Sequence, residues 1–571
     1  MRKYSAIAFL LFLSTLFSCA QNEKRDYQGE WVGHLPNKNS FNFNVSLQPL
    51  DNNQYQLRIF NDQVLIDRKV SSSQDDAIKF DLDDQLFFNL KSNTDNSSLT
   101  GFIKSGRFLH HVNFKNQGEN LFVAQWNPFM VNDGLISDDI NLYMEYTNEG
   151  DLVAYPFLGD QRFRGFWAES FKQKGNTLYF EDGNGGFNFQ AELQETHVDL
   201  SILLLDQLIT KTRLTFAPDG WDYNNDFSNQ TQSTETPEQM NDGWKTANIS
   251  DFGIRKQELS KLIEDVRSNK LVNIHSVLIS KRNTLVFEAY FHGHNANIPH
   301  DLRSASKSIS SAVIGIAIDE GILENTDQKL YDLLPEKWQY TKNERKEKIT
   351  LQHLLTMSSG LDVNNQASEN YYQDTRNSNN WLKTVLTAPM VKEPGTYLDY
   401  GSANPFLLGV VLNEQLDVPM ENYMDEKLFA PLEITNYINQ TDDTKEIPYF
   451  GGGMLLTSRD LLKFGQLFLN NGKWNGKQVI SEKWVEASFG KCGRLQDARD
   501  KNEYGYLWWH DGYQVKGTSI KTIEARGAGG QFIFLVPQLE TVVVITAGNF
   551  RNRKGNLSRE IFEQYILPAM L

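Results

Sequence analysis

The chain has 571 residues, with 56 Lys+Arg against 72 Asp+Glu and a formal net charge of −16. That length holds several domains with real cores, and a 40% hydrophobic, 22% charged composition excludes a disordered or collagen-like polymer. The acidic balance, with no basic tract interleaved with aromatics, argues against nucleic acid as a partner.

Arg2 and Lys3 precede an uncharged run from Ala6 to Phe17. The run is too short to span a bilayer, which takes about 20 apolar residues, and reads instead as an export signal. Leu16-Phe17-Ser18-Cys19 resembles the lipobox of bacterial lipoproteins. Residues 1–18 are therefore expected to be a lipoprotein signal peptide and Cys19 the lipidated start of the mature chain. The protein would sit in the cell envelope, and Ala20 after the cysteine points to the outer membrane. Contact with the membrane would then be through the lipid anchor alone. Cys492 is the other cysteine; a lipidated Cys19 leaves it no disulfide partner, and its neighbours offer neither His nor acid to activate it.

From about Trp31 to Phe216 the chain reads as short strands. Phe41–Leu47, Tyr55–Ile59 and Ile78–Leu82 alternate apolar and polar residues, the period of a strand with one buried face. Asn, Asp and Gly clusters separate them as turns. Residues 19–221 are expected to form an all-β accessory domain, in one unit or two halves. The segments Ile78–Phe114 and Leu178–Phe216 echo one another faintly. Residues 222–244 are polar, and their composition predicts a linker or loose wrap.

Residues 245–571 change pattern. Arg255–Lys270 has helical spacing; Ile274–Ile279 and Thr284–Phe291 flank a Lys281-Arg282-Asn283 turn; Ser304–Glu320 predicts a helix with Ile309, Val313, Ile316 and Ala317 down one side. Gln531–Val536 and Thr541–Ala547 predict a hairpin, with a helix from about Leu557. The fold class expected is an α+β multidomain protein, a mixed domain of antiparallel sheet and flanking helices preceded by the all-β domain.

Chemistry concentrates at Ser304-Ala305-Ser306-Lys307. Residues i and i+3 of a helix share a face, so a serine hydroxyl there meets an amine without long-range coincidence. A hydroxyl is a weak nucleophile until a neighbour manages its proton. A position in the first turn also offers free N–H groups, and Asp301 suits a cap.

The same stretch, with Gly315–Gly321, resembles the serine beta-lactamase and penicillin-binding-protein superfamily, in particular its class C beta-lactamase-like branch. Further blocks resemble that family in the same order: Leu351–Leu361, Pro394–Ser402, Phe450–Leu455 with Ser458–Leu461, and Tyr504–Trp509. The resemblance covers about 250–571 and implies an acyl-enzyme hydrolase on an antiparallel sheet with no cofactor. It implies Ser304 as nucleophile, Lys307 and Tyr400 as proton relay, and Ser402 as a hydrogen-bond partner of Lys307, with Asn404 leaving another register open. A phenol beside an ammonium group ionises more readily, which suits Tyr400 to take the serine proton. Where the family carries lysine-threonine-glycine, the matching stretch is taken as Ala528-Gly529-Gly530-Gln531, with the N–H groups of Ser304 and Gln531 as the oxyanion hole and Gly529 and Gly530 allowing close approach. Ala528 brings no charge to hold a substrate carboxylate. Arg526 is weighed as a substitute cation against an arginine paired with Glu524.

The expected substrate is a small-molecule or peptide acyl donor, an ester or amide rather than a beta-lactam. The alternatives are a non-catalytic envelope-binding scaffold and a true beta-lactamase or transpeptidase; the accessory domain is expected to bind an envelope component. His292, His294 and His300 read as a polar loop, and no metal is assigned. Trp508, Trp509, Tyr371 and Tyr372 either line an acyl-binding wall or pack a core.

Overall fold

The computed structural model describes residues 26–37, 41–50, 53–73, 77–93, 95–128, 139–158, 168–218, 232–233, 236–363, 372–373, 380–496, 502–550 and 552–571. The expected signal peptide, Cys19 and Tyr371 lie outside the described residues. No helix among those described is long and apolar enough to cross a membrane.

The N-terminal region is all β and is built twice. In one unit of eight strands, Phe43–Pro49, Gln54–Phe60 and Val64–Ser71 pair antiparallel in turn, the five from Ile78–Leu82 to Phe122–Trp126 do the same, and the last pairs back onto the first, Phe43 opposite Trp126. The other unit contains the strand Gly29–His34 and seven strands from Asp139–Tyr146 to Gln207–Phe216. Gly29–His34 pairs with both ends of that run, Trp31 lying opposite Leu142 on one side and Phe216 on the other. The halves are therefore not consecutive: the first unit is inserted after the opening strand of the second. Counted from the closing strand of each unit, Leu178–Phe216 corresponds to Leu86–Trp126, one strand later than the sequence echo suggested. Alternation does the work of burial, with Val45, Leu47, Leu57 and Ile59 fully inside while Asn44 and Arg58 face outward.

The C-terminal domain is organised on an antiparallel sheet. Its strands run in the order Thr284–Tyr290, Ile274–Lys281, Thr541–Ala547, Gln531–Val536, Thr518–Gly527, Trp508–Val515 and Glu503–Gly505. Ile274–Lys281 and Thr541–Ala547 are buried at every position. They have to be, because both faces are covered: the helix Ser458–Leu469 packs on one and Lys256–Arg267 with the C-terminal helix on the other.

Two features tie the regions together. Tyr437–Gln440 pairs with Phe108–His110 of the accessory region, then with Met454–Leu456, which in turn pairs with His300–Asp301. One sheet thus runs from the accessory strands to within three residues of Ser304. The second tie lies in the stretch 222–244, read from its composition as a linker or loose wrap. Its described residues are docked: Gln232–Ser233 pairs with Ala289–Tyr290, and Trp244 is 2% exposed against Trp474. Arg459, itself buried, binds Asp242 at 2.9 Å and Glu288 at 2.6 Å. One aromatic anchor and one satisfied buried charge offset the ordering entropy that the polar composition alone could not.

Candidate active site

Ser304 lies in a short 3-10 turn, Arg303–Ser306, that leads into the helix Lys307–Asp319. This helix differs from the one-sided pattern read in the sequence, since it is buried all round from Lys307 to Ala317. Two of its three hydroxyls find backbone acceptors, Ser308 Oγ donating to Leu507 O at 2.8 Å and Ser310 Oγ to Phe450 O at 3.2 Å, while Ser311 Oγ is buried without one. Asp301 caps the turn, accepting the Arg303 N–H at 3.0 Å and pairing with its guanidinium at 3.1 Å. Arg303, immediately before Ser304, has φ +48°, a left-handed conformation costly for a side chain of this kind.

Three side chains converge here. Lys307 is 1% exposed, and its Nζ donates to Ser304 Oγ at 2.7 Å and also to the carbonyl oxygen of Gly451. The same Nζ stands 5.3 Å from the centre of the Tyr400 ring. The Phe450–Gly453 turn therefore supplies a backbone acceptor that orients the amine, a role its glycines did not announce in the sequence.

Tyr400 is half-buried, between Trp509 at 5.2 Å and Tyr504 at 6.2 Å between ring centres. Burial, followed by the charge of Tyr400, pushes the Tyr504 phenol well above its ordinary value. Tyr504 is thereby held in its neutral form. The loop carrying Tyr400 is held from below: Asp399 N–H donates to Met357 O at 2.7 Å, and Asn404 Nδ2 to Gly401 O at 3.2 Å. Ser402 is fully buried at the start of the helix Ala403–Gln415, two residues beyond Tyr400. Asn404 is thereby the residue that fastens the loop, while Ser402 begins the helix.

The strand beside the Ser304 turn is Thr518–Gly527, which ends before the stretch 528–531 taken from the sequence. A Cβ on Gly527 would stand 2.2 Å from Leu302 O and 3.1 Å from Ala305 N, so Gly527 is the residue pressed against the Ser304 turn. Ala528, Gly529 and Gly530 are the tight turn that follows, the two glycines at φ +87° and +102°. Gln531 already belongs to the next strand, opposite Gly527, fully buried and with its side chain bonded to Ala547. Gly529, Gly530 and Gln531 thus lie beyond the strand position that presses against the Ser304 turn, which is Gly527.

Arg526 is engaged on every nitrogen: Nε with Glu524 at 2.7 Å, one terminal nitrogen with Asn502 at 3.0 Å and the other with Asp511 at 2.6 Å. Its guanidinium lies 4.9 Å over the Trp509 ring. The reading of Arg526 as a substitute cation for substrate gives way to a structural one, because three partners and an aromatic face already take up the fork. The tryptophan pair divides: Trp508 is fully buried against Phe464, while Trp509 stands between Arg526 and Tyr400. Tyr372 packs in the core with its hydroxyl 2.7 Å from that of Tyr449.

A family model described as Beta-lactamase matches residues 275–560, half of the chain. The chain belongs to the beta-lactamase family. Membership places it among serine hydrolases that work through an acyl-enzyme. It is similar to "6-aminohexanoate-dimer hydrolase" of Paenarthrobacter ureafaciens, 24% identical over 286 residues, 47% of this chain and 70% of the relative. A solved penicillin binding protein from Bacillus halodurans is 18% identical with a TM-score of 0.40, covering 51% of this chain and 94% of that one. A family VIII carboxylesterase structure is 15% identical with a TM-score of 0.41, covering 54% and 97%. The family match begins at His275, on the first sheet strand of the C-terminal domain, and ends in the last helices, so the accessory region lies outside it.

Proposed function

We propose that this beta-lactamase family chain hydrolyses an ester or amide through an acyl-enzyme on Ser304. The observation that carries the reading is the buried Lys307 Nζ, 2.7 Å from Ser304 Oγ and 5.3 Å from the Tyr400 ring. An ammonium group so placed favours a phenolate, which can accept the serine proton as the carbonyl is attacked and return it to the leaving group. The oxyanion is assigned to the N–H of Ser304 and, in place of Gln531, that of Ala528, the residue after the strand position pressed against the nucleophile turn. Water on the face of Tyr400 then releases the acyl group.

No free cation stands at positions 525, 526 or 528, since Arg526 is consumed by Glu524 and Asp511. This supports a donor that needs no carboxylate, an ester or a simple amide rather than a penicillin. The 6-aminohexanoate-dimer hydrolase named above favours the amide side of that choice. The export and lipidation of the chain at Cys19, and an envelope ligand for the accessory strands, belong to the same proposal; metabolic labelling with a fatty acid, lost in Cys19→Ala, tests the anchor.

The test is intact-mass detection of acylated protein across a short-chain ester, a linear amide, a D-residue peptide and a beta-lactam, with Ser304→Ala alongside. One acyl group per chain from the ester or amide, absent in Ser304→Ala, is expected. Full labelling of the Ala variant overturns the assignment, and labelling by the beta-lactam alone overturns the substrate class.

A further inference from the structure

Four histidines gather at one place that the hydrolytic machinery does not use. His275 is the second residue of the central strand Ile274–Lys281; His292 and His294 lie on the loop that leaves Thr284–Tyr290; His300 opens the short strand His300–Asp301. The sequence placed three of them in one loop and gave no sign of His275, which comes from a different strand. Nδ1 of His275 lies 2.8 Å from Nε2 of His300, and the His275 and His294 rings stack at 4.0 Å. One ligand nitrogen each from His275, His294 and His300 lie within 4.8 Å of one another.

We propose that His275, His294 and His300 form a binding site for one divalent transition-metal ion of the zinc class. Tetrahedral coordination with metal–nitrogen bonds of about 2.0–2.1 Å separates ligand nitrogens by roughly 3.3 Å. The observed spacings straddle that value, so small ring rotations bring all three to a common centre. His300 Nδ1 lies 3.1 Å from the carbonyl oxygen of Asp301. An N–H donated there leaves the lone pair on Nε2, aimed at His275, which is how ligand histidines are commonly oriented. The ligand set is all imidazole, which suits zinc, copper, nickel or iron rather than calcium or magnesium. His292 Nε2 is buried without a hydrogen-bond partner, and its ring lies 6.3 Å from that of His275, so the fourth place falls to it or to solvent.

The site joins three separated segments, and His300 stands four residues ahead of Ser304. A bound ion would pin the entry to the nucleophile turn to the central sheet. The role is structural, and the claim is independent of what Ser304 acts on.

The test uses the untagged full chain, stripped with chelator and dialysed, then titrated with Co²⁺ and Zn²⁺. Expected are one equivalent per chain, the visible spectrum of tetrahedral cobalt, and a melting temperature raised by saturating Zn²⁺. His294→Ala, at a half-buried position that tolerates truncation, is expected to weaken Zn²⁺ binding by at least about tenfold with the metal-free melting temperature unchanged, whereas the exposed His34→Ala binds as the parent does. Should His294→Ala fail to fold, X-ray absorption of the Zn²⁺-loaded parent decides, with three or more imidazole nitrogens at about 2.0 Å expected. No stoichiometric binding, equal affinity in a folded His294→Ala, or fewer than three imidazoles around the zinc overturns the proposal.

Discussion

Gly527 lies edge-on to the turn that carries Ser304: a Cβ there would meet the Leu302 carbonyl oxygen at 2.2 Å and the Ala305 amide nitrogen at 3.1 Å. Backbone, unlike a side-chain tip, has no easy way to move aside. Gly527→Ala is therefore expected to push the strand away from Ser304 and lower kcat for a chromogenic ester by about 100-fold, the usual result of a displacement near 1 Å at reacting groups. The fold itself should survive, because the sheet is held by many other contacts. Steady-state kinetics with a circular-dichroism melt check this; unchanged kcat would mean that the strand does not position the site.

Lys307 and Tyr400 are expected to act as one unit. Lys307→Met and Tyr400→Phe should each lower kcat by roughly 10³, within the range of general acid–base contributions. Their combination should be little worse than either alone, because residues that share one proton transfer are not additive. A double variant whose losses multiply would show that the two side chains do separate jobs.

Arg526 is expected to matter for stability and for shape, and not for charge recognition. Its removal leaves Glu524, a side chain with no exposure, short of its cation, and breaking such a buried pair costs about 3–5 kcal/mol. Arg526→Met should thus lower the urea midpoint. It should also reduce kcat/KM equally for an ester with and without a carboxylate on its acyl part. A selective loss on the carboxylate ester would return Arg526 to the substrate site.

Acid should destabilise the fold through a buried histidine. Burial, with the nearby Lys491 charge, pushes His510 down to about 4. The unfolded imidazole takes up its proton near pH 6.5 while the folded one does not, so the unfolded state gains as pH falls from 6.5 to about 4. The loss over that window is on the order of 3 kcal/mol from this residue. Urea midpoints measured from pH 7.5 to 4.5 should fall, and His510→Gln should flatten the slope. An equal slope in the variant would place the acid sensitivity elsewhere.

Much of this was legible because local chemistry carried it. The pair Gln531–Val536 and Thr541–Ala547 and the strand Ile78–Leu82 stand where alternation or continuous apolar runs put them. Ser304 and Lys307 were visible because their relation is a single helical turn. What was not legible depends on distant chain. The Gly451 carbonyl reaches Lys307 only after the Phe450–Gly453 turn folds across the helix, and three glycines say nothing of where their carbonyls point. The register at Gly527 was lost because a single glycine competes there with the Gly529-Gly530 pair, and only contact with Leu302 decides between them. Likewise, the all-round burial of Lys307–Ala317 is hidden by its serines, which read as a polar face until their backbone acceptors are known.

The shared pairing of Tyr437–Gln440 with Phe108–His110 has a practical consequence for anyone shortening this protein. A piece beginning near residue 245 would keep the whole family match but leave Tyr437–Gln440 with one flank of bare amides and carbonyls. Such an unprotected edge invites association with other copies. Insolubility of that fragment would then reflect a missing neighbour and not a defect in its own core.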